Sequence, residues 1–213
     1  MTGQAMYRDR THAGEVLAAL LASWEDRHPL VLGVPRGGVI VAGVVASSLG
    51  ADLDIVVSRK VGAPGNPEFA VAAVDPDGQL FVDSETPLTV SSDYLERAAA
   101  VERREITRRL ALWREGREER AIEGRVVIMV DDGIATGLTA MAALAYLRRK
   151  SPSELILAVP VAPSDVIKKL ERSADLVVCP LKPTLFFAVG EWYEDFRQVT
   201  DEEVRRVLGS AGE

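Results

Sequence analysis

Cysteine is almost absent from this 213-residue chain, where Cys179 stands alone. An intrachain disulfide is excluded, and so is a metal site built from several thiolates. Histidine is nearly as scarce. His12 and His28 flank an N-terminal segment with no cysteine or acidic ligand pattern around them, and both read as structural or exposed. No long hydrophobic run occurs. The longest, residues 39–46 counting Gly43, falls far short of the roughly 20 residues needed to cross a bilayer. The opening MTGQAMYRDR lacks the apolar core of a signal peptide. A soluble cytoplasmic protein with no membrane partner is therefore expected. Positive charge is also in deficit: 25 Lys+Arg stand against 32 Asp+Glu, a net charge of -7. That balance argues against nucleic acid as a partner. Lysine is rare beside arginine, which reads as genome composition or thermal adaptation before function.

What is present is a foldable chain. At 47% hydrophobic residues it can bury a sizeable core, and its length suits one domain over residues 1–213. Val16, Leu17, Leu20, Leu21 and Trp24 recur at helical spacing after Thr11, a candidate cap. Residues 30–34 and 53–57 read as buried strands, with a small-residue helix over 39–49 between them. Gly62, Pro64, Gly65, Asn66 and Pro67 predict a mobile loop, followed by short strands at 69–74 and 79–82. Residues 93–122 are crowded with Arg and Glu around an apolar stripe that includes Ile106, Leu110 and Trp113. This is a charged helical insertion of one or two helices. Beyond it the pattern alternates: strand 126–130, helix 138–147, strand 155–161, helix 165–170 capped by Ser164, strand 176–179. That alternation predicts an α/β fold, a parallel sheet flanked by helices. Thr200 and Glu203 form a capping box for a last helix.

The segment VVIMVDDGIATGLT, residues 126–139, carries the most chemistry. A fully apolar strand ends in two acids, Asp131 and Asp132. A glycine-punctuated turn follows, and then a helix begins. Ligands of open α/β sheets bind outside the carboxyl ends of strands. The turn's N–H groups and the helix N-terminus favour an anion such as phosphate. Gly133 and Gly137 allow close approach, and Thr136 and Thr139 add hydroxyl donors. The acids would repel a phosphate but suit hydroxyls or a metal ion. A sugar phosphate with a vicinal diol satisfies both halves. A P-loop is ruled out because Gly137-Leu138-Thr139 has no lysine, and no G-x-G-x-x-G supports a dinucleotide site. Only about fifty residues separate the acids from Lys182-Pro183, too few for the βα units of a phospho-acceptor receiver domain.

This segment resembles the phosphoribosyl diphosphate (PRPP) signature of type I phosphoribosyltransferases, and the likeness extends over most of the chain. The resemblance implies that Asp131 and Asp132 bind the ribose hydroxyls. It implies that Gly133, Ile134, Ala135, Thr136, Gly137 and Thr139 cradle the 5-phosphate. Arg36, with the N–H groups of Gly37 and Gly38, falls where the family binds pyrophosphate. Arg59 and Lys60 fall at the start of its flexible lid, and Arg36 and Lys60 would act catalytically on the leaving group. The implied reaction transfers the 5-phosphoribosyl group to a nitrogen base, purine or related, with Mg²⁺ as cofactor. No residue is a firm metal ligand. Ala135 departs from the 6-oxopurine pattern, which carries an acid near this point, so the proton acceptor stays unassigned. Glu68 is a candidate by position alone. A short C-terminal hood, residues 181–199, would meet the base, with Lys182, Phe187 and Trp192 as candidates. The alternative is a non-catalytic sensor of PRPP or a nucleotide on the same fold. Members of the family often pair, and the stripe around Trp113 could serve a homodimer, an option the sequence leaves open.

Overall fold

The computed structural model of the protein describes residues 6–82 and 90–210. Helix α1 (Arg10–Leu20) comes first, capped by Asp9, whose carboxylate accepts the His12 N–H at 2.8 Å. Thr11, the expected cap, lies inside the first turn instead. A 3-10 turn (Ala22–Arg27) leads to β1 (Leu30–Gly33), α2 (Gly37–Ser48) and β2 (Asp52–Ile55). Next come β3 (Arg59–Ala63), β4 (Asn66–Val74), β5 (Leu80–Phe81) and the long helix α3 (Ser92–Arg114). The rest alternates as expected: β6 (Val126–Val130), α4 (Leu138–Arg149), β7 (Glu154–Ala158), α5 (Ser164–Leu170) and β8 (Leu176–Val178). A 3-10 turn (Val189–Trp192) and α6 (Asp201–Ser210) complete the order. Ser164 is the first residue of α5 rather than its cap, a position taken by Pro163. The Thr200–Glu203 capping box is present: the Glu203 N–H donates to Thr200 Oγ1 at 3.2 Å and the Thr200 N–H to Glu203 Oε2 at 2.9 Å.

The main sheet has five parallel strands in the order β2-β1-β6-β7-β8. β1 pairs with β2 on one side, through Gly33↔Ile55, and with β6 on the other, through Gly33↔Val130. The chain therefore turns one way after β1 and returns on its opposite side as β6. The carboxyl ends of β1 and β6 meet where the winding reverses, which is where open α/β sheets form a crevice.

β6 shows why its sequence is apolar throughout. Val126, Ile128 and Val130 pack into a core shared with Leu17, Val41, Trp113 and Leu208, from α1, α2, α3 and α6. Val127 and Met129 face a second core with Leu144 of α4 and Ile167 of α5. Side chains alternate across a strand, so a strand covered on both faces is buried at every position.

Two further expectations are corrected. The segment 62–67 is an antiparallel hairpin, not an open loop. β3 and β4 pair from Arg59↔Val74 to Ala63↔Asn66, and Pro64 and Gly65 alone make the turn, with Gly65 at φ 74°. Buried Val61, Val71 and Val74 hold the hairpin on the core, while register shifts beside Gly62 accommodate the prolines. The stripe around Trp113 belongs to the monomer's interior. The charged insertion is one helix there, and Trp113 is 1% exposed with its Nε1–H donated to Asp201 at 3.0 Å. That stripe is not available to a second chain. Among the described residues no helix is long and apolar enough to cross a membrane.

Candidate active site

Two loops leave the crevice side by side. After β1, Val34-Pro35-Arg36 runs directly into α2, with Arg36 as N-cap and no side-chain cap. The Pro35–Arg36 peptide is cis. After β6, Asp131 and Asp132 lead through Gly133 to α4, whose N-cap is Gly137 at φ 81°, again without a side-chain cap. Neither helix carries an acid in its first turn. By contrast α1, α3 and α6 are capped by Asp9, Ser91 and Thr200. The first N–H groups of α2 and α4 are thus left to an anion, and the helix dipoles favour one.

The loops touch through their glycines. A Cβ on Gly37 would sit 1.8 Å from Asp132 Oδ2, and one on Gly38 would sit 2.8 Å from the Asp131 Cα. Side chains there would drive the pyrophosphate-loop candidate and the acid pair apart. Gly133 has φ 155°, and its Cβ would lie 2.4 Å from Val189 Cγ1, so a larger residue would push the hood from the acid loop. Ile134 is buried and gives its N–H to the Val161 carbonyl at 3.0 Å, so it anchors the turn instead of offering that N–H to a ligand. Ala135 and Thr136 are exposed in the turn, and Thr139 is half-buried in the first turn of α4.

The acids differ in surroundings. Asp131 Oδ1 accepts the Asp132 N–H at 2.8 Å. Loss of solvation, and then the neighbouring charge of Asp132, hold the Asp131 carboxyl well above the usual carboxylate range. Asp132 Oδ2 accepts Arg10 Nε–H at 2.7 Å, and both side chains are largely buried. The Asp132 carbonyl accepts the Tyr193 hydroxyl at 2.5 Å. Burial first, and then the charge of Asp132, push the Tyr193 phenol upward, so it stays a donor. Arg10 and Tyr193 were not found from the sequence as site residues. Arg10 opens a helix that reads as scaffold, and Tyr193 was visible only within the aromatic-rich hood.

The remaining candidates are spread around this centre. Arg36 Nη1 lies 3.9 Å from Asp201 Oδ1 at the start of α6. Arg59 Nε–H donates to Glu102 of α3 at 2.8 Å, and Lys60 is exposed. Adjacent strand residues point to opposite faces, so Arg59 and Lys60 leave β3 on different sides and do not form one clamp. Trp192 packs as scaffold: its ring stacks on Phe186 at 6.3 Å, and its carbonyl accepts the Met6 and Tyr7 N–H groups. It backs a small core of Tyr7, Ala13 and Tyr193 and is half-buried there. Phe187, 82% exposed, and Lys182, also exposed, remain the outward-facing hood candidates. The Glu68 side chain lies outside the described residues.

The phosphoribosyl transferase domain family matches residues 9–192. The chain belongs to that family. A Mycobacterium tuberculosis protein, named provisionally as a phosphoribosyl transferase and found in two strains, is 43% identical over 211 residues. That match takes in 97% of this chain and 47% of the relative, so the chain spans about half the length of the curated relatives it matches. The crystal structure of TT1426 from Thermus thermophilus is 46% identical, covers 95% of this chain and 97% of its own, and superposes with a TM-score of 0.81. A five-stranded parallel sheet flanked by helices is the type I phosphoribosyltransferase fold, as the sequence led one to expect.

Proposed function

We propose that this phosphoribosyltransferase-family chain transfers the 5-phosphoribosyl group of PRPP to a nitrogen base, purine or related, and releases pyrophosphate. The observation that carries the reading is the meeting of Asp131 and Asp132 with Arg36-Gly37-Gly38 where two uncapped helices start at the sheet's reversal point. One end of that crevice suits a phosphate, the middle a diol, and the far end a second phosphorylated group.

In this reading the N–H groups opening α4, with Thr136 and Thr139, hold the 5-phosphate. The acids accept hydrogen bonds from the ribose hydroxyls and fix the sugar for in-line departure. The bond from the anomeric carbon to pyrophosphate oxygen breaks, its electron pair leaving with pyrophosphate, as the base nitrogen forms its bond to that carbon and gives up its proton to water. Negative charge grows on pyrophosphate, where Arg36, the Gly37 and Gly38 N–H groups and Lys60 would stabilise it. Phe187 and Lys182 would meet the base.

The acid loop fits an Mg²⁺ ion carried in by the diphosphate better than one held by the protein. One oxygen of Asp132 is engaged by Arg10, and among the described residues no three His, Cys, Asp or Glu side chains converge. Mg²⁺ keeps many ligands from substrate and water, and when bound it would neutralise charge on the leaving diphosphate.

Calorimetry of PRPP binding, with and without Mg²⁺, tests the site, and pyrophosphate release across a panel of nucleobases tests the reaction. Mg²⁺-dependent binding with release on one base is the expected result. Binding without release on any base would favour the sensing alternative, and folded protein that ignores PRPP would overturn the site assignment.

A further inference from the structure

Arg10 is the most unexpected charge in the molecule. It is 9% exposed, yet it lies in the first turn of a helix where arginine would ordinarily reach water. Its guanidinium joins separate segments of the chain. Nε–H donates to Asp132 Oδ2 at 2.7 Å, and Nη1–H donates to the Arg197 carbonyl at 2.8 Å. The Phe196 ring lies over the guanidinium carbon, 3.9 Å from its centroid, and shields that face from water. α1, the acid loop and the end of the hood thus meet on this one side chain.

We propose that Arg10 is a positioning residue for the ribose diol: it fixes the Asp132 carboxylate against Gly37, so that Asp132 and Asp131 present their remaining acceptor sites to one sugar. The proposal rests on the PRPP-binding reading above and adds a residue from outside the two loops.

Three observations support it. The 2.7 Å contact uses Oδ2, the oxygen a Gly37 Cβ would strike at 1.8 Å, so Arg10 fixes the carboxylate at its tightest point against the pyrophosphate loop. The Asp132 backbone is held independently, by Tyr193 from the hood at 2.5 Å, leaving the side-chain torsion as the freedom Arg10 removes. The pair also needs a cation. Adjacent acids resist joint ionisation, and Asp131 already suffers from its neighbour's charge, which Arg10 opposes. The charged or titratable groups that face the pair are Arg10 of α1 and Tyr193 of the hood, and Tyr7 stands behind Tyr193.

The test separates diol ligands from diphosphate. Binding of PRPP, ribose 5-phosphate and pyrophosphate is measured by calorimetry with Mg²⁺ for wild type, Arg10→Gln and Arg10→Lys, each checked for folding by circular dichroism. Arg10→Gln should weaken PRPP and ribose 5-phosphate about tenfold to a hundredfold, the range for a lost charged hydrogen bond, and leave pyrophosphate within about twofold. Arg10→Lys keeps the charge without the fork and should recover part of the loss. In turnover, KM for PRPP should rise more than kcat falls.

Equal weakening of all three ligands would show a merely structural role and overturn the proposal. So would unchanged PRPP binding in folded Arg10→Gln. If Arg10→Gln does not fold, Arg10→Lys decides: the proposal fails when its PRPP and pyrophosphate affinities move together or not at all. Wild-type protein that binds no PRPP would instead remove the functional reading beneath it.

Discussion

Two kinds of sequestered acid occur in this protein, one fully buried and one partly buried at the crevice. Asp54 in β2 is saturated by the protein, and Asp75 after β4 has both carboxylate oxygens engaged. Asp54 takes Arg114 Nε–H at 3.2 Å, Arg114 Nη2–H at 3.3 Å, the Arg120 N–H at 3.0 Å and the Ile55 N–H at 2.8 Å. Asp75 takes Arg149 and the Gln79 N–H. Each closes a joint, α3 to the main sheet in the first case and α4 to the hairpin in the second. Asp131 and Asp132 have fewer donors: one N–H for Asp131 and one arginine for Asp132 among the described residues. A carboxylate offers about four acceptor sites. Asp54 spends all of them on the fold and Asp75 engages both oxygens, whereas Asp131 and Asp132 take a single donor each and keep more for a ligand. An arginine partner alone does not separate the classes; the acceptor capacity left over does.

The largest effect tests the structural class. Asp54→Ala should strand Arg114 and cost about 3–5 kcal/mol of stability, the range for breaking one side of a buried pair. Denaturant unfolding measures it, and PRPP affinity of the folded fraction should hold. Lost affinity at unchanged stability would break the comparison.

The Asp131→Asn/Asp132→Asn double variant is the converse. PRPP affinity should fall about hundredfold or more, because charged hydrogen bonds to the sugar are lost, with a smaller drop in melting temperature than Asp54→Ala, since an amide oxygen at 132 can still accept from Arg10. Calorimetry and thermal melts on the same sample check both halves.

Gly133→Ala sharpens the geometric side. Its positive φ and the approach to Val189 predict a loss of about 1–3 kcal/mol with weaker PRPP binding. Unfolding and binding curves should move together, since the glycine serves loop and hood at once.

The smallest effect is in pH. Asp131 holds its proton more tightly folded than unfolded. Its contribution to stability is fully present below the ordinary carboxylate pKa and is lost as pH rises through the raised value. Asp131→Asn removes that loss, so its melting temperature should gain on wild type between acid and neutral pH. Glu203 runs the opposite way. Arg197 first, and then the Thr200 N–H, lower its pKa to about 2, so its contribution is present above the ordinary value and disappears as pH falls toward 2. Glu203→Gln removes that contribution, so its melting temperature should gain on wild type as pH falls toward 2.

Much of this was legible because it is local. The strand 126–130 declares itself by an unbroken apolar run, and the acids, glycines and threonines after it are consecutive. The Thr200–Glu203 box is likewise a four-residue pattern and forms as read. The hairpin was misread because Pro64, Gly65, Asn66 and Pro67 look like a loop one residue at a time. Pairing of β3 with β4 overrides that reading and confines the turn to two residues. For Trp192 the sequence does not divide scaffold from base platform, because an aromatic cluster looks the same in sequence whether it faces a ligand or fills a core.

By itself, then, the sequence determined the alternating sheet, the crevice loops and the chemistry of the acid–glycine turn, since each follows from side-chain period or from neighbours along the chain. Tertiary structure alone decided which charges meet. Arg10 stands 122 residues from Asp132, and Arg114 stands 60 from Asp54. No local rule distinguishes these arginines from the others in the chain. Helix packing chose them by placing α1 against the acid loop and α3 across β2, where a buried carboxylate without a cation would have been too costly to keep.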